Sequence, residues 1–577
     1  SYKNAEMLLK KAIKISPDYY LTYYNLGNLF AKMNKYNLAK KAFERSIELN
    51  PCFINAFDNL AYLYNLFNKF SKAAKISKKS IKIDPKNPIS FNNLGYALKG
   101  QKKYNKSKSF LEIAIKLNPD YAEAHCNLGS IFIILGNYEY AIDHLKKSIN
   151  CEIKKNQNIL RFFTIFLFNL NYSPNSSAEE VFSYYQQFDH KFGLPLQKEW
   201  QPFPLIKEPK SKLKIGYVSP DFKKHSMKGF LEPVLANHNH DQFEIYAFAE
   251  LSEEDHITQQ YKSYVDHWIP TQGLSDEEMV QKIRELQIDI LVDLAGHTKD
   301  NRLLVFARKP APVSLTWLGY GYTTGLSAID YFLTDKIAAP KGSEHLFSEQ
   351  IWQLNHYGHC CYQEQLDMGD VSPLPALDKG HITFGTLTRA IRINDRVIKA
   401  WSQILKRVKH SKLVINSADF SHYKTKRMII SKFEEYGVKQ NRLEVGYQSP
   451  PWDTMRQIDI ALDCFPHNSG TTLIEHLYMG NPFVTYSNRP SVGKIGASIL
   501  TALGREEWIA YSEQEYIDKA VALATDTKKL ASIRSSLREE MKSSPIMDHK
   551  GFVLELEKTY QSMWDKWCAA SKIDLNI

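Results

Sequence analysis

The Ser-Gly-Thr-Thr turn at residues 469–472 has the composition of an anion-binding loop. It lies between an apolar run that predicts a strand and residues 472–479, which predict a helix. Gly470 lets a ligand approach the backbone, and the hydroxyls of Thr471 and Thr472 can donate hydrogen bonds. A helix N-terminus also favours an anion such as a diphosphate. The alternative is that one of the threonines only caps the helix, and the local sequence leaves both readings open.

Two histidines follow predicted strands. His225 comes shortly after the apolar residues 214–218, and His297 comes shortly after residues 288–294. An imidazole has a pKa near neutrality, so at such a position it can take or relay a proton. A lone histidine in a loop is more often structural. We expect His297 to line a cleft and His225 to take part in proton transfer.

Strands alternate with helical segments after residue 212, which predicts parallel sheets with helices on both faces. Two such sets in tandem leave a cleft at the carboxyl ends of their strands, where open α/β sheets bind ligands. There is no GxGxxG fingerprint and no P-loop, so neither a standard dinucleotide enzyme nor a P-loop NTPase is indicated. The predicted strands are residues 214–218, 243–248 and 288–294, then 382–385, 412–416, 459–463 and 482–485, with a helix at 396–406.

A 34-residue period runs through the first quarter of the chain. It is kept by four prolines (Pro17, Pro51, Pro85, Pro119), by four Asn-Leu-Gly or Asn-Leu-Ala triplets (25–27, 59–61, 93–95, 127–129) and by four aromatic residues (Tyr36, Phe70, Tyr104, Tyr138). This period predicts tetratricopeptide repeats, helix pairs that stack into an α-solenoid. We expect each proline to start the next helix pair. We expect the small residue of each triplet to mark a close helix crossing. Residues 5–15 are expected as the second helix of a truncated repeat, and the absence of an initiator methionine suggests further repeats upstream.

The asparagine of each triplet recurs at one helical phase, although asparagine has only a moderate helix propensity. One interpretation is a helix-interior amide that satisfies nearby backbone groups. The other is a row of amides along the solenoid groove that binds an extended peptide regardless of its sequence. We favour the second for Asn25, Asn59, Asn93 and Asn127.

Composition excludes several classes of protein. The chain has 577 residues, 44% of them hydrophobic, with no apolar run near the ~18 residues of a membrane span. Its seven cysteines form no CxxC pair, so neither a zinc site nor a disulfide framework is indicated, and a reducing, cytoplasmic location is expected. Residues 1–150 carry 13 more basic than acidic side chains. A solvated face or an acidic protein partner explains this better than nucleic acid, because no nucleic-acid module accompanies the charge.

Several longer motifs occur in a fixed order and together resemble the O-GlcNAc transferase and SPINDLY family of protein glycosyltransferases. They are residues 215–222 with His225, 293–298, 308–313, 317–320, 324–325, 330–331, 462–466, 470–472, Glu475 and 479–480. The resemblance covers nearly the whole chain. It implies a GT-B fold with two Rossmann-like lobes after the α-solenoid. It also implies a metal-independent inverting transfer of GlcNAc from UDP-GlcNAc, or of fucose from GDP-fucose, to Ser or Thr.

The resemblance sets the expected domains and partners. We expect repeats over residues 1–153, a helical linker over 154–212, an N-terminal catalytic lobe over 213–377, and a donor-binding lobe with a closing helix over 378–577. The partners are a nucleotide sugar, for which UDP-GlcNAc is the preferred candidate, and an acceptor protein or peptide in the repeat groove. No other cofactor and no metal are implied.

The resemblance also assigns site residues. His225 matches a histidine that faces the active site in family members, and His297 lies within one of the matching motifs. Gly470, Thr471 and Thr472 match the donor-diphosphate turn, and Glu475 matches an acidic residue that reaches the ribose. Arg389 is expected to contact the nucleotide-sugar donor. Arg392 stands where the family usually has a lysine against the diphosphate, and Pro451 stands where a histidine is often found.

Three alternatives stay open from the sequence. The donor could be GDP-fucose, the acceptor atom could be an asparagine amide as in related N-glucosyltransferases, or the lobes could have lost activity and left a repeat scaffold. The last reading rests on Arg392 and Pro451.

Overall fold

The computed structural model describes residues 2–151, 159–204, 212–354, 360–365, 367–421 and 423–573. They form two compact units that divide between Phe166 and Leu167, inside a helix. The predicted link at residues 202–212 lies mostly outside the described residues. No helix in the described ranges is both long and apolar enough to cross a membrane.

The first unit is built from helices that repeat every 34 residues, which confirms the predicted tetratricopeptide solenoid. The first helices of the four pairs begin at residues 20, 54, 88 and 122, and the second helices at 36, 70, 104 and 138. The helices are α1 (Tyr2–Ile15), α2 (Tyr20–Lys32), α3 (Tyr36–Leu49), α4 (Ile54–Leu66), α5 (Phe70–Ile83), α6 (Pro88–Gly100), α7 (Tyr104–Leu117), α8 (Ala122–Ile134) and α9 (Tyr138–Asn150).

The four periodic prolines lie in turns between repeats. Each comes two residues after one helix ends and three before the next begins, so it does not start the next pair as expected. The residue before three of them is extended, as in Asn50 (φ −136°, ψ 92°) and Asn118 (φ −140°, ψ 97°). A following proline favours this conformation because its ring clashes with a helical neighbour. The prolines therefore end each repeat.

The periodic glycines mark close helix crossings, as predicted. A Cβ atom on Gly27 would lie 2.6 Å from the Phe43 ring, and one on Gly95 would lie 2.6 Å from Leu111 Cγ. Both partner residues belong to the second helix of the same repeat. In the second repeat the equivalent partner position, 34 residues after Phe43, holds the smaller Ser77. The alanine of that repeat's triplet then fits without a clash and is fully buried.

The second unit contains two parallel sheets, which confirms the two-lobed α/β prediction. Before the first sheet come α10 (Ile159–Leu170) and α11 (Ala178–Phe188). The first lobe holds β1 (Leu213–Ser219), α12 (Lys228–Leu235), β2 (Phe243–Ala249), α13 (His256–Tyr264), β3 (His267–Pro270), α14 (Asp276–Glu285), β4 (Ile290–Asp293), α15 (Leu303–Ala307), β5 (Val313–Thr316), β6 (Tyr331–Asp335) and β7 (Gln350–Leu354).

The second lobe repeats this alternation. It holds α16 (Pro375–Lys379), β8 (Thr383–Thr386), α17 (Asp395–Arg407), β9 (Lys412–Asn416), α18 (Tyr423–Glu435), β10 (Leu443–Gly446), α19 (Trp452–Arg456), β11 (Ile460–Leu462), α20 (Thr471–Tyr478), β12 (Phe483–Tyr486), α21 (Ile495–Leu503), β13 (Ile509–Ala510), α22 (Glu513–Thr525), α23 (Thr527–Lys542) and α24 (His549–Ile573). All seven strands predicted from the sequence are present, with ends shifted by at most two residues.

Both sheets have the doubly wound strand order. It is β3-β2-β1-β4-β5-β6-β7 in the first sheet and β10-β9-β8-β11-β12-β13 in the second. The chain reverses direction of winding between β1 and β4, and again between β8 and β11. In such sheets the crevice for a ligand opens beyond the carboxyl ends of these strand pairs.

The last helix, α24, packs on the first lobe, although the sequence placed it with the second. Its residues Phe552 and Tyr560 are buried in the core of the first sheet. The Tyr560 hydroxyl lies 3.0 Å from that of Tyr217 on β1. The carboxylate of Glu557 lies 3.0 Å from Nδ1 of the buried His238. The chain thus returns to its first lobe after completing the second.

We predict that Gly95→Ala destabilises the solenoid even though alanine is the better helix former. The gain in helix propensity is about 1 kcal/mol, whereas overpacking against Leu111 costs about 1–3 kcal/mol. Hydrogen exchange of the α6 and α7 amides in the full chain measures the change. In a Leu111→Ala background the same substitution should become neutral or stabilising, because the clash is gone. Slower exchange in the single variant would contradict the crossing geometry.

Candidate active site

The loops that follow the central strand pairs carry the predicted site residues. In the first lobe, His225 follows β1 and His297 follows β4. In the second lobe, Arg389 and Arg392 follow β8, and residues 469–472 follow β11. Ser469 Oγ donates to Thr388 Oγ1 over 3.2 Å, so the two loops of the second lobe are in contact. The loops beyond both central strand pairs therefore carry residues that the sequence singled out.

A fully buried carboxylate holds the β4 loop. Asp293, at the end of β4, accepts hydrogen bonds from the backbone N–H of Ala295 (3.1 Å) and Gly296 (2.9 Å) and from the hydroxyl of Thr316 (2.8 Å). Burial raises the pKa of this carboxyl, and the three donors oppose the shift. The loop conformation beside His297 thus depends on one side chain.

The same arrangement holds the β11 loop. Asp463 accepts hydrogen bonds from the backbone N–H of Cys464 (2.8 Å) and Ser469 (2.8 Å) and from the hydroxyl of Thr485 (2.7 Å). Burial raises its pKa to about 7, and the hydrogen bonds and the nearby Arg392 act in the opposite direction. Asp463 therefore fixes where the turn at residues 469–472 begins.

This turn leads directly into the N-terminus of α20. Gly470 occupies the N-cap position and Thr471 and Thr472 the first helical positions, and no side chain caps the helix. The geometry thus differs from the capping alternative. A Cβ atom on Gly470 would meet only Ile495, at 3.9 Å, so the space before the turn is open. Among the described residues nothing accepts a hydrogen bond from the N–H of Thr471 or Thr472. These groups can donate to an anion.

Glu475 lies one helical turn after Thr471, so both side chains are on one face of α20. Glu475 is 6% exposed, and its Oε1 accepts a hydrogen bond from Gln365 Nε2 over 3.2 Å. Burial raises the pKa of Glu475 to about 8. The carboxyl is therefore mostly protonated at neutral pH.

Two arginines lie in the β8 loop near this turn. The Arg389 guanidinium is 5.7 Å from the centre of the Phe168 ring, and that of Arg392 is 5.5 Å from the centre of the Tyr172 ring. Nε of Arg392 is buried and has no hydrogen-bond partner in the part of the chain that the structure describes. Positive charge is thus placed near the turn at residues 469–472, where Arg392 also acts on the buried Asp463 carboxyl.

The two histidines differ sharply in exposure. The His225 side chain is 41% exposed, and its Nδ1 lies 3.9 Å from Asp221 Oδ2. His297 is 1% exposed and packs edge-on against the rings of Tyr185 and Phe188. Its Nε2 donates to the carbonyl oxygen of Thr324 over 2.7 Å. His225 is open to a substrate, whereas His297 lies in a buried layer and not on an open cleft surface.

Burial lowers the pKa of His297 to about 4, so its imidazole is neutral at physiological pH. Because Nε2 carries the proton that bonds Thr324, Nδ1 holds a lone pair. That atom has no partner among the described residues. A direct catalytic role for His297 stays a prediction.

The segment expected to be a linker contributes residues to this region that the sequence did not indicate. Asn171 Nδ2 donates to the hydroxyls of Tyr185 and Tyr320, each at 2.8 Å, and the carbonyl of Asn171 accepts a hydrogen bond from Arg489. The available signal was the aromatic run at residues 162–172, which is unusual for a linker.

His467, on the β11 loop, was also missed. Its ring stacks on Tyr172, with centroids 4.5 Å apart and planes at 7°. Burial lowers its pKa well below the usual value, and Arg392 adds to the effect.

The four asparagines of the repeats lie in the first unit and have unequal surroundings. Asn25 is exposed. Asn59 and Asn127 are half-buried, and their amides donate to Asn28 (2.7 Å) and Asn92 (2.8 Å). Asn93 is 5% exposed, and its amide donates to the carbonyl of residue 58. The structure thus joins both interpretations: one amide satisfies the backbone, and three have surface that a ligand could reach.

No cluster of three or more His, Cys, Asp or Glu side chains in the described ranges is placed to hold a metal ion.

Comparison with known proteins extends these observations. The profile of Glycosyl transferase family 41 matches residues 196–361 and 375–556, more than half of the chain. Tetratricopeptide repeat profiles match residues 20–51, 89–121 and 122–150. A solved structure of a Thermobaculum terrenum O-GlcNAc transferase mutant has 29% sequence identity and a TM-score of 0.80, over 90% of this chain and 98% of that one.

Plant proteins named "Probable UDP-N-acetylglucosamine--peptide N-acetylglucosaminyltransferase SPINDLY" are also similar. The Petunia hybrida protein is 33% identical over 410 residues, 70% of this chain and 44% of the relative. The Arabidopsis thaliana protein is 32% identical over 412 residues, 70% of this chain and 45% of the relative. The chain spans less than half the length of these curated relatives. With the family profile matched across both lobes, the chain belongs to glycosyl transferase family 41, the family of O-GlcNAc transferase and SPINDLY.

Proposed function

We propose that this chain is an inverting protein glycosyltransferase that moves GlcNAc from UDP-GlcNAc to Ser or Thr hydroxyls of an acceptor protein. The observation that carries the proposal is the open α20 N-terminus, with uncapped N–H groups at Thr471 and Thr472. Such a terminus binds a diphosphate through its N–H groups and the helix dipole. The names of the plant relatives and of the solved structure support this donor and a protein acceptor.

The reaction is a single displacement. The acceptor oxygen attacks the anomeric carbon while the bond from that carbon to the diphosphate oxygen breaks. The diphosphate leaves with the electron pair, and the hydroxyl proton must go to a base or a relay. His225 is the exposed imidazole at the first-lobe crevice and is assigned to this transfer. His297 is assigned to supporting the crevice from its buried position.

Charge development on the leaving diphosphate is stabilised by fixed donors. Thr471 and Thr472 offer two N–H groups and two hydroxyls, and Arg392 adds a permanent positive charge. Arg389 provides a second positive charge on the same loop. Glu475, one turn further along α20, is assigned to the ribose. In this assignment one face of α20 binds both the diphosphate and the ribose of the donor.

The acceptor is assigned to the groove of the repeats. Asn25, Asn59 and Asn127 can offer amides to an extended peptide backbone, which gives binding that does not depend on peptide sequence. Asn93 is assigned to holding neighbouring helices together. A cytoplasmic location stays a prediction.

A panel of common nucleotide sugars tests the proposal most directly. The full chain is incubated with each donor and an acceptor protein, and the products are mapped by mass spectrometry. Transfer of GlcNAc to Ser or Thr supports it. Transfer of fucose from GDP-fucose would show that the proposed donor is wrong. Linkage to an asparagine amide would show that the proposed acceptor atom is wrong. If the chain shows no transfer and no donor hydrolysis with any of the sugars, the scaffold alternative is favoured, in which the repeats only bind partners.

We predict that Arg392→Ala lowers kcat for UDP release by about 10²–10³-fold, the usual loss when one transition-state stabilising donor is removed. KM for the donor should change less, because the charge develops mainly as the diphosphate leaves. Coupled UDP-release kinetics measure both constants. Arg427→Ala serves as control, since Arg427 pairs with Glu434 on the surface of α18. An unchanged kcat would overturn the assignment.

We predict that UDP affinity rises between pH 7 and 9 because the Glu475 carboxyl, with a pKa of about 8, ionises over this range. An ionised carboxylate accepts hydrogen bonds from both ribose hydroxyls, and each pKa unit by which binding lowers the pKa corresponds to about a tenfold gain. Calorimetry at several pH values measures the affinity. Glu475→Gln should bind UDP with a flat pH profile. The same pH dependence in both proteins would contradict the ribose assignment.

We predict that the triple change Asn25→Ala, Asn59→Ala and Asn127→Ala lowers kcat/KM for a protein acceptor by about tenfold or more, because each lost hydrogen bond contributes roughly 0.5–1.5 kcal/mol. Donor hydrolysis without acceptor should stay at the wild-type rate. Asn93→Ala, by contrast, should lower thermal stability first. Equal losses in acceptor transfer and donor hydrolysis would argue against a peptide-binding row.

A further inference from the structure

Two aromatic residues lie four positions apart at the end of α10. Phe168 lies in the last turn of the helix, and Tyr172 follows just beyond it. Their ring centroids are 5.6 Å apart. Tyr172 is 3% exposed, so its ring is part of the packed interior. We call Phe168 and Tyr172 the aromatic pair.

Each ring of the aromatic pair contacts one arginine of the β8 loop. Arg389 lies over Phe168 and Arg392 lies over Tyr172, at 5.7 Å and 5.5 Å from the ring centres. Nε of Arg392 is buried and has no hydrogen-bond partner among the described residues, and the nearby Asp463 carboxyl interacts with Arg392 electrostatically. The two rings are the groups that the guanidinium planes lie over.

The aromatic pair is itself held from several sides. Asn171 is bonded to Tyr185, Tyr320 and Arg489, which fixes the backbone next to Tyr172. His467, three residues before Gly470, stacks on the Tyr172 ring at 4.5 Å. Tyr172 thus contacts both the β8 loop through Arg392 and the β11 loop through His467. One ring sets the relation between the positive charge and the donor turn.

A planar guanidinium needs such a support. Its donors project in one plane, so it binds a diphosphate well only when that plane is correctly oriented, and aromatic faces hold guanidinium groups by stacking and by cation–π attraction. The alternative is plain packing, in which the long arginine stems only cover apolar surface. Plain packing does not explain why each arginine of the β8 loop lies over one ring of the aromatic pair.

We propose that Phe168 and Tyr172 are positioning residues that hold Arg389 and Arg392 toward the leaving diphosphate. The inference rests on the proposed function and adds to it that the segment between the repeats and the lobes supplies part of the donor site. Tyr172 acts through Arg392, and Phe168 acts through Arg389. Neither ring takes a proton or forms a bond in the reaction.

The test is a double-mutant cycle on the full chain. Tyr172→Leu should lower both UDP affinity and kcat/KM by about tenfold, the scale of a desolvated cation–π contact. Tyr172→Phe keeps the ring and should behave as wild type. In an Arg392→Ala background Tyr172→Leu should have little further effect, because the group it positions is absent. Phe168→Leu should show the same pattern with Arg389→Ala.

Trp352→Leu is the matched control, since it removes a cation–π contact with Lys566 elsewhere in the first lobe. It should leave UDP affinity unchanged. Thermal unfolding of every variant confirms folding. Equal kinetics for Tyr172→Leu and Tyr172→Phe would overturn the inference, and so would losses that multiply in the double variant. If wild-type protein neither binds nor turns over any nucleotide sugar, the proposed function falls first and takes the inference with it.

Discussion

The site depends on two buried carboxylates, Asp293 and Asp463, one at the end of the fourth strand of each sheet. Each accepts two backbone N–H groups from the loop that follows and a hydroxyl from the next strand. An unpaired N–H in these buried loops would cost about 1–3 kcal/mol, so the carboxylate fixes one loop conformation. Four residues earlier, Asp289 and Asp459 each accept an N–H from the first strand of their sheet. The same hydrogen-bonding arrangement thus occurs in both lobes, and it fixes the loop beside each crevice.

Burial also determines the protonation states of the groups around the turn at residues 469–472. It lowers the pKa values of His297 and His467 and raises that of Glu475, so all three are mostly neutral near pH 7. Arg392 contributes a positive charge to the same region. The buried Asp463, whose pKa is raised to about 7, is the carboxyl beside this turn. It accepts the N–H of Ser469, whereas the N–H groups of Thr471 and Thr472 at the start of α20 stay open to an anion.

Much of this could be predicted from the sequence, because periodicity and strand-end chemistry are local properties. The 34-residue step located all eight helices of the four repeat pairs, and apolar runs located the central strands. The strands β3, β5, β6, β7, β10 and β13 were not predicted. Four of them have only two to four residues, and such short runs do not stand out from buried loops. The burial of individual side chains was the property that the sequence predicted least well. Nothing in the sequence distinguishes exposed Asn25 from buried Asn93, or open His225 from enclosed His297, because the difference comes from neighbours distant in the chain.

Arg489 shows why the residues around the donor turn also depend on distant segments. Its side chain is 9% exposed, and Nε and Nη1 have no partner among the described residues, while its remaining nitrogen bonds the carbonyl of Asn171. A buried guanidinium without a counter-ion is expensive, and burial lowers its pKa accordingly. Arg489 secures the turn that carries Tyr172, and Tyr172 contacts both loops of the donor crevice. Residues 167–172 therefore belong to the second compact unit, and Tyr172 packs against the β8 loop through Arg392 and against the β11 loop through His467.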